Sequence, residues 1–319
     1  MTDMPPGPAR LVGDIGGTNA RFAVLDASGM PVLPATFRVD DFPSLAAAIR
    51  TFVEEQAIGR IGGAAVAVAT PVTGDRVKLT NSHWSFSIAE SRDELGLETL
   101  QVVNDFTALA LSVPHLPREE LVAVGGGTAV ADRAIAVIGP GTGLGVSGLI
   151  PCGARWSALQ GEGGHVTVGV VTDRERAVRD RLARRFRHVS AERFLSGPGL
   201  VNTVGALREI DGLEPSTLSP ADITRLGTGG EDPHCEEALG IFCRLLGSCA
   251  GNLALTLGAE GGVVIGGGIV PRLGDFFARS EFRAAFEAKG RMGDYLARIP
   301  THVIHSPYPA LTGAAQLLL

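Results

Sequence analysis

The residues with the clearest chemical character lie in a short turn near the start of the chain. Residues 12–21 read Val-Gly-Asp-Ile-Gly-Gly-Thr-Asn-Ala-Arg and continue as Phe-Ala-Val-Leu, so the turn has an apolar strand on either side. A P-loop or a dinucleotide-binding turn instead opens a helix. Gly16 and Gly17 can adopt positive φ and allow close backbone approach. Thr18 and Asn19 add side-chain donors. The pattern predicts a β-hairpin that binds phosphate, with an ordinary glycine turn as the alternative.

One carboxylate, that of Asp14, lies in this segment. A carboxylate beside a polyphosphate repels it unless a divalent cation or its hydration shell lies between the two. The segment therefore predicts Mg²⁺ together with a nucleotide, with Asp14 contacting the ion through water. Its neighbours Gly13 and Ile15 complete the predicted nucleotide-binding segment.

Two further glycine clusters are associated with apolar strands later in the chain. One strand, Ala134 to Ile138, leads into a glycine loop over residues 139–145 and then into another strand; the other cluster, Gly261 to Pro271, encloses a strand. Glycine makes up 43 of the 319 residues, roughly twice its usual share of about 7%. The second half thus repeats the opening hairpin, which indicates an internal duplication. We expect one nucleotide to contact all three clusters, the later ones through Gly141, Thr142, Gly143, Gly266 and Gly267.

Two polar side chains follow the predicted buried strand Leu100 to Val103. Asn104 and Asp105 stand at its carboxyl end, before a predicted helix over Phe106 to Leu111. Ligands bind at that edge in open α/β sheets. Asp105 suits a general base that the helix dipole keeps ionised, and it equally suits the N-cap of the helix.

Hydrophobic periodicity supplies the elements that must position these groups. Val12 to Leu25 and Val32 to Arg38 predict strands of an antiparallel meander. An acidic cap and an early proline open a predicted helix over Phe42 to Glu55. Ala64 to Ala69 predicts a buried parallel strand, and Gly240 to Leu257 a long helix. A chain of 319 residues is long enough for two domains with a cleft between them.

Composition and charge argue against several classes of protein. The net charge is −6, and the one basic run, Arg174 to Arg187, is typical of a solvated helix face, so no nucleic-acid partner is predicted. The four cysteines lack metal-ligand spacing, which predicts reduced, buried thiols and no structural zinc. The first ten residues lack the apolar core of a signal peptide, and no uninterrupted apolar run approaches membrane-spanning length. We therefore expect a soluble, cytoplasmic protein with no membrane partner.

Six segments between about Leu11 and about Gly313 form one pattern. In chain order they are Asp14 to Arg21, Asn104 to Ala108, Gly141 to Gly145, Gly161 to His165, Ser190 to Arg193 and Gly261 to Ile269. Together they resemble the zinc-free bacterial glucokinases of the hexokinase and actin-like superfamily of sugar kinases. The related zinc-containing kinases carry a cysteine-rich cluster after Glu-x-Gly-His, whereas here no cysteine follows His165 before Cys235.

The resemblance implies an α/β fold of duplicated ribonuclease H-like (actin-like ATPase) domains, with mixed sheets flanked by helices and a cleft between the domains. Residues 1–115 plus 306–319 would form a small domain with the first phosphate loop and the catalytic aspartate. Residues 116–305 would form a large domain with the second phosphate loop, sugar ligands and adenosine motif. A homodimer is implied by the family pattern, and the long helix over Gly240 to Leu257 favours it as well.

The activity implied is ATP-dependent phosphorylation of D-glucose at its 6-hydroxyl, the first step of glycolysis, with Mg²⁺. Asp105 would accept the hydroxyl proton. Phosphoryl transfer needs chiefly positioning and charge stabilisation, so the help from this base would be modest. A kinase for another hexose, such as mannose or N-acetylglucosamine, and a non-catalytic sugar sensor remain alternatives.

The resemblance also implies which side chains contact the sugar, namely Asn104, Asp105, Glu162, His165 and Glu192. Carboxylates, an amide and an imidazole satisfy the donors and acceptors around a pyranose in one orientation. Glu162-x-x-His165 also has the spacing of two metal ligands, and His165 alone suits a structural histidine. Pro140 departs from the family pattern, because a proline removes one N–H from the second phosphate loop.

Overall fold

The computed structural model describes residues 7–80 and 82–319. The start of the predicted small domain and the predicted lack of a signal peptide involve residues 1–6, which lie outside the described residues. The strands are β1 (Ala9–Ile15), β2 (Asn19–Leu25), β3 (Pro31–Arg38), β4 (Ile61–Val68), β5 (Arg76–Lys78), β6 (Ser85–Ser87), β7 (Thr99–Asn104), β8 (Leu121–Ala123), β9 (Ile135–Pro140), β10 (Leu144–Cys152), β11 (Arg155–Ala158), β12 (Val263–Ile265) and β13 (Thr301–Ile304). The helices are α1 (Leu45–Glu55), α2 (Ile88–Glu94), α3 (Asp105–Ser112), α4 (Asp173–Ala183), α5 (Gly197–Ile210), α6 (Pro220–Thr228), α7 (Pro233–Leu257), α8 (Val270–Leu273), α9 (Asp275–Ala278), α10 (Phe282–Glu287), α11 (Gly293–Ala297) and α12 (Pro309–Ala315).

The chain forms two compact units. One ends at Pro117 and takes in the C-terminal segment Ser306–Leu319, and the other is Arg118–His305. In the first unit the sheet order is β3-β2-β1-β4-β7. The first three strands form an antiparallel meander, whereas β1, β4 and β7 are parallel. Register pairs Val68 with both Ile15 and Asn104, so the carboxyl ends of the three parallel strands are level.

Helices cover both faces of this first sheet. All eight residues of β4 are buried, as expected for a central parallel strand between two layers. On one face Ile49 and Phe52 of α1 belong to a core that also holds Trp84. On the other face Leu311 and Ala315 of α12 pack against β1 and β4.

The sheet of the second unit repeats this topology. Its order is β11-β10-β9-β12-β13-β8, with β9, β10 and β11 antiparallel and β9, β12 and β13 parallel. The first five strands therefore follow the same order and directions as those of the first unit, and β8 adds an antiparallel edge. The predicted internal duplication is confirmed by this repeated strand order.

Helix α7 is the central helix of the second unit. It begins at Pro233, capped by the side chain of Asp232, and not at Gly240, because its polar first turns hide the helical period in the sequence. It is long and apolar enough to be a candidate membrane span by length and composition, but 61% of the 18-residue window that meets this test is buried inside the structure. Its Arg244 pairs with the fully buried Glu175 of α4. These contacts are those of a core helix.

Several local expectations are wrong in detail. Helix α1 starts at Leu45 and is capped by Ser44, whose hydroxyl accepts the Ala47 N–H, and not by an acidic residue. Cys152 is exposed, although the thiols were expected to be buried. The basic run is helical only as far as Ala183. Several of its arginines pair with carboxylates, as Arg174 does with Asp211 and Glu237.

Candidate active site

The first predicted phosphate loop is a hairpin between β1 and β2. Its predicted residues fall in order: Gly13, Asp14 and Ile15 end β1, Gly16, Gly17 and Thr18 form the turn, and Asn19 begins β2. The Gly16 N–H donates to the Asn19 carbonyl at 2.9 Å and closes the turn. Neither Gly16 nor Gly17 has a positive φ, so the expectation that they use left-handed backbone is wrong. A Cβ on Gly16 would make an ordinary contact with the Asn19 carbonyl oxygen at 3.6 Å.

Asp14 is held by a cation within the same hairpin. Strand register places Arg21 opposite Asp14, and Arg21 Nη1 donates to Asp14 Oδ2 at 3.2 Å. The Asp14 side chain is 23% exposed. Burial raises the pKa of Asp14, and the Arg21 guanidinium opposes that rise. A charged pair therefore lies directly beneath the turn.

Asn104 caps α3. Its Oδ1 accepts the N–H groups of Phe106 at 2.9 Å and Thr107 at 3.4 Å, and its Nδ2 donates to the Thr70 carbonyl at 3.3 Å. The cap therefore belongs to Asn104, and the alternative role of Asp105 as N-cap is wrong. The difference arises because β7 reaches Asn104, which keeps the extended backbone that an N-cap requires.

Asp105 is the first residue of α3, and its Oδ1 accepts the Phe106 N–H at 2.8 Å. The pKa of Asp105 is raised to about 6: burial is the largest cause and the charge of Asp14 adds to it, while hydrogen bonds from Phe106 and Asn104 work against the rise. The first unit thus brings Asp14, Asn104 and Asp105 to one sheet edge. Of these groups, Asp105 has a pKa that suits it to accept a proton near neutral pH.

The second and third glycine clusters meet in the second unit. Gly141, Thr142 and Gly143 form the turn between β9 and β10, which the Gly141 N–H closes by donating to the Gly143 carbonyl at 2.8 Å. Gly266 follows β12 and donates its N–H to Ile138 of β9 at 2.9 Å. Gly267 has a φ of +79°, and a Cβ there would lie 2.3 Å from the carbonyl oxygen of Pro140. Only glycine allows this approach.

The predicted sugar contacts of the second unit surround this hairpin. Glu162 precedes a 3₁₀ turn, Gly163–His165, that lies against β10, and a Cβ on Gly164 would lie 2.0 Å from the Leu144 carbonyl oxygen. Glu162 Oε2 and His165 Nε2 are 4.0 Å apart, and both side chains are 60% exposed. Glu192 Oε2 accepts the Leu144 N–H at 2.9 Å. Two acids and an imidazole therefore lie in the structural neighbourhood of the second phosphate loop.

A metal at Glu162 and His165 gains no support. In the part of the chain that the structure describes, no three His, Cys, Asp or Glu side chains form a group that could hold a metal ion. A hydrated Mg²⁺ carried by nucleotide phosphates needs fewer protein ligands. The partly exposed carboxylate of Asp14 fits a contact with such an ion through water.

Sequence reasoning missed three groups. It assigned no role to Arg21, although the period of two in a hairpin closed by Gly16 and Asn19 would have placed it opposite Asp14. It also missed Thr70, which orients Asn104, and the Leu144 N–H, which binds Glu192. Nothing in the sequence signals the last contact, because its partners are 48 residues apart.

Comparison with known proteins gives consistent matches. The chain matches the sequence profile of the glucokinase family over residues 11–319. It is 55% identical over 313 residues to a glucokinase from Aromatoleum aromaticum, covering 97% of this chain and 94% of the relative. A crystal structure of a glucokinase from an Antarctic psychrotroph shares 37% identity with a TM-score of 0.87, covering 98% of this chain and 99% of that one. A glucokinase from Balamuthia mandrillaris in complex with glucose, 18% identical, has a TM-score of 0.81 over 97% of this chain and 93% of that chain, which shows the same fold.

Proposed function

The chain belongs to the glucokinase family, and we infer that it transfers a phosphoryl group from ATP to the 6-hydroxyl of D-glucose, giving glucose 6-phosphate. The fold is accordingly that of the actin-like ATPases. The observation that carries the residue assignment is the position of Asp105, a buried carboxyl at the carboxyl edge of a parallel sheet, beside Asn104 and close enough to Asp14 to sense its charge.

We propose that Asp105 is the general base. A carboxyl with a pKa of about 6 is largely ionised at neutral pH, yet basic enough to take a proton as the hydroxyl oxygen attacks phosphorus. The Phe106 N–H holds one carboxylate oxygen at 2.8 Å, which leaves the other to face the substrate. Because the transition state of phosphoryl transfer is loose, orienting the hydroxyl contributes more than removing its proton.

The remaining sugar hydroxyls are assigned to Asn104, Glu162, His165 and Glu192. The support is chemical: the carboxylates accept and the Asn104 amide nitrogen donates, so a sugar with an inverted hydroxyl would leave one of these groups unpaired. The side-chain oxygen of Asn104 caps α3, so its amide nitrogen is the group that can bind the sugar.

We assign the nucleotide to the two hairpins and the third glycine cluster. The backbone from Gly13 to Asn19, the turn Gly141 to Gly143, and Gly266 with Gly267 would contact the phosphates and the adenosine. Mg²⁺, when bound with ATP, would neutralise charge on the phosphates. Asp14 would bind water molecules of the Mg²⁺ hydration shell, and the ion pair with Arg21 would orient its carboxylate.

The two groups of residues lie in different units, so catalysis requires both units to act on the same pair of substrates. We propose that residues 1–115 with 306–319 and residues 116–305 act as two domains that close around glucose and ATP. Closure excludes water and protects ATP from hydrolysis. Small-angle scattering with and without glucose tests this, since closure shortens the radius of gyration.

Cytoplasmic localisation and a homodimer complete the proposal. The homodimer depends on the family pattern alone, because α7, which the sequence offered as an interface, is the core helix of its own unit. Light scattering on the purified chain gives the mass directly: about twice the 33.1 kDa of one chain supports a dimer, and the mass of a single chain contradicts it.

A coupled assay of ADP release over a panel of hexoses tests the function. Glucose should be the preferred acceptor, ahead of mannose and N-acetylglucosamine. Sugar binding without ADP release would favour a non-catalytic sensor, although such a protein has no need of the carboxyl of Asp105. Preference for another hexose would keep the kinase and change its substrate.

A further inference from the structure

The carboxylate of Glu192 is bonded to the second phosphate loop. Its Oε2 accepts the N–H of Leu144, the residue that follows the glycine turn, at 2.9 Å. The fit is tight, because a Cβ built on Gly143 would lie only 2.5 Å from the same oxygen. A side chain assigned to the sugar therefore contacts the backbone that is assigned to the nucleotide.

Glu192 is itself fixed by the backbone that holds the loop from the other side. Ser196 donates its hydroxyl to the Glu192 carbonyl at 2.8 Å and caps α5. The next residue, Gly197, donates its N–H to the carbonyl of Gly141 at 2.8 Å. The loop is thus attached to the segment 192–197 at both of its ends, once through a side chain and once through the backbone.

We propose that Glu192 is a positioning residue for the second phosphate loop, and that its one carboxylate serves both substrates. One oxygen fixes Leu144 and keeps the loop in the shape that receives phosphate. The other oxygen is available to a sugar hydroxyl, a part of the proposal that rests on the proposed function. Binding of either substrate that orders this carboxylate also orders it for the other substrate, so sugar binding and nucleotide binding are coupled reciprocally.

Nucleotide affinity in the absence of sugar tests the positioning role. Isothermal titration of the full chain with ADP should show about tenfold or greater weakening in Glu192→Ala, since a hydrogen bond to a charged acceptor is lost. Glu192→Gln should stay within about threefold, because its amide oxygen can accept the same N–H. Glu162→Ala is the matched control, an acid of the sugar set that is not bonded to Leu144, and should bind ADP like the parent chain.

Three outcomes would overturn the proposal. Unchanged ADP affinity in Glu192→Ala means that the loop holds its shape without the bond. Tighter ADP binding means that the carboxylate acts mainly by repelling phosphate. Equal losses in the Ala and Gln variants mean that the bond to Leu144 is not what matters.

Hydrogen exchange at the Leu144 amide gives a second readout that needs neither nucleotide nor turnover. Protection should fall about tenfold or more in Gly143→Ala, whose new methyl group displaces the carboxylate, and in Glu192→Ala if it folds. Gly141→Ala is the matched control for exchange, because nothing lies within 4 Å of its Cβ, and should leave Leu144 protected. Unchanged protection in Gly143→Ala contradicts the proposal. If the chain fails to phosphorylate any hexose, the proposed function falls while these two measurements still decide the role of Glu192.

Discussion

Replacing Asp105 by asparagine is expected to make the protein more stable and nearly inactive. The two side chains have the same shape, and the asparagine oxygen can keep the bond from the Phe106 N–H, now 2.8 Å. What disappears is a charge. Burial above all, and the charge of Asp14, raise the pKa of Asp105 from 3.8 to about 6. About two pH units at about 1.36 kcal/mol each give about 3 kcal/mol, which is an upper bound because the side chain keeps some contact with solvent.

The direction of the stability change with pH follows from proton binding to Asp105. Below pH 3.8 the carboxyl is protonated in both the folded and the unfolded chain, so it adds no difference. Between pH 3.8 and about 6 the folded chain retains a proton that the unfolded chain has released, and its stability falls as pH rises. Above about pH 6 the full penalty is present. The free energy of unfolding of Asp105→Asn should therefore exceed that of the parent by up to about 3 kcal/mol at pH 8, and by little at pH 4.

Urea unfolding without nucleotide or metal measures this difference. Fluorescence of the buried Trp84 reports on the unit that contains Asp105 once the other tryptophan, Trp156, is replaced by phenylalanine in both proteins. Turnover should fall by about 10² or more, and in the parent chain it should decline below about pH 6 as the base is protonated. A stability difference that is the same at pH 4 and pH 8, or absent at pH 8, refutes the electrostatic reasoning. Near-normal turnover refutes the assignment of the base.

Four other substitutions test the core and the sugar site. Gly247→Ala in α7 should lower the free energy of unfolding by about 1–3 kcal/mol, because its Cβ would lie 2.1 Å from a carbonyl oxygen of α10. Gly240→Ala in the same helix places its Cβ where nothing lies within 4 Å, so it should raise the free energy of unfolding by up to about 1 kcal/mol. Thermal unfolding measures both changes. Glu175→Ala removes a fully buried carboxylate that pairs with Arg244 at 2.6 Å and should cost about 3 kcal/mol in urea unfolding. Glu162→Ala should raise the KM for glucose far more than that for ATP; equal changes would place Glu162 outside the sugar site.

The carboxyl ends of β1 and β7 could be predicted from the sequence because each strand is a short, mostly apolar run that stops at a glycine pair or at a polar pair. The structure places Asp14 and Asp105 at one edge because β1, β4 and β7 are parallel and their carboxyl ends are level, a pairing that the sequence did not predict. The choice between Asn104 and Asp105 as the helix cap could not be predicted either, because both residue types cap helices well. It is decided by how far β7 continues its pairing, which depends on the neighbouring strand.

The second unit shows a different limit. Its hairpin and its third glycine cluster could be predicted from the sequence. The contact between Glu192 and Leu144 could not, because it joins residues 48 positions apart. Nor could the sequence separate a core helix from an exposed apolar one, because the burial of α7 is supplied by α5, α6 and α10. Periodicity identifies which face of a helix is apolar, but it does not identify what covers that face.

The environments of Asp14 and Asp105 differ in a way that fits the different roles predicted for them from the sequence. Both are drawn from solvent at one edge, and burial raises the pKa of each. Asp14 has a cation 3.2 Å away, on Arg21, which opposes its protonation and suits a carboxylate that stays charged beside hydrated Mg²⁺. The groups that act on Asp105 are N–H donors and the charge of Asp14, with burial as the largest influence, and the resulting pKa of about 6 suits a group that takes up a proton near neutral pH. Carboxylates with unlike partners divide acid and base work in this way, and here the division depends on one arginine placed by the register of the hairpin.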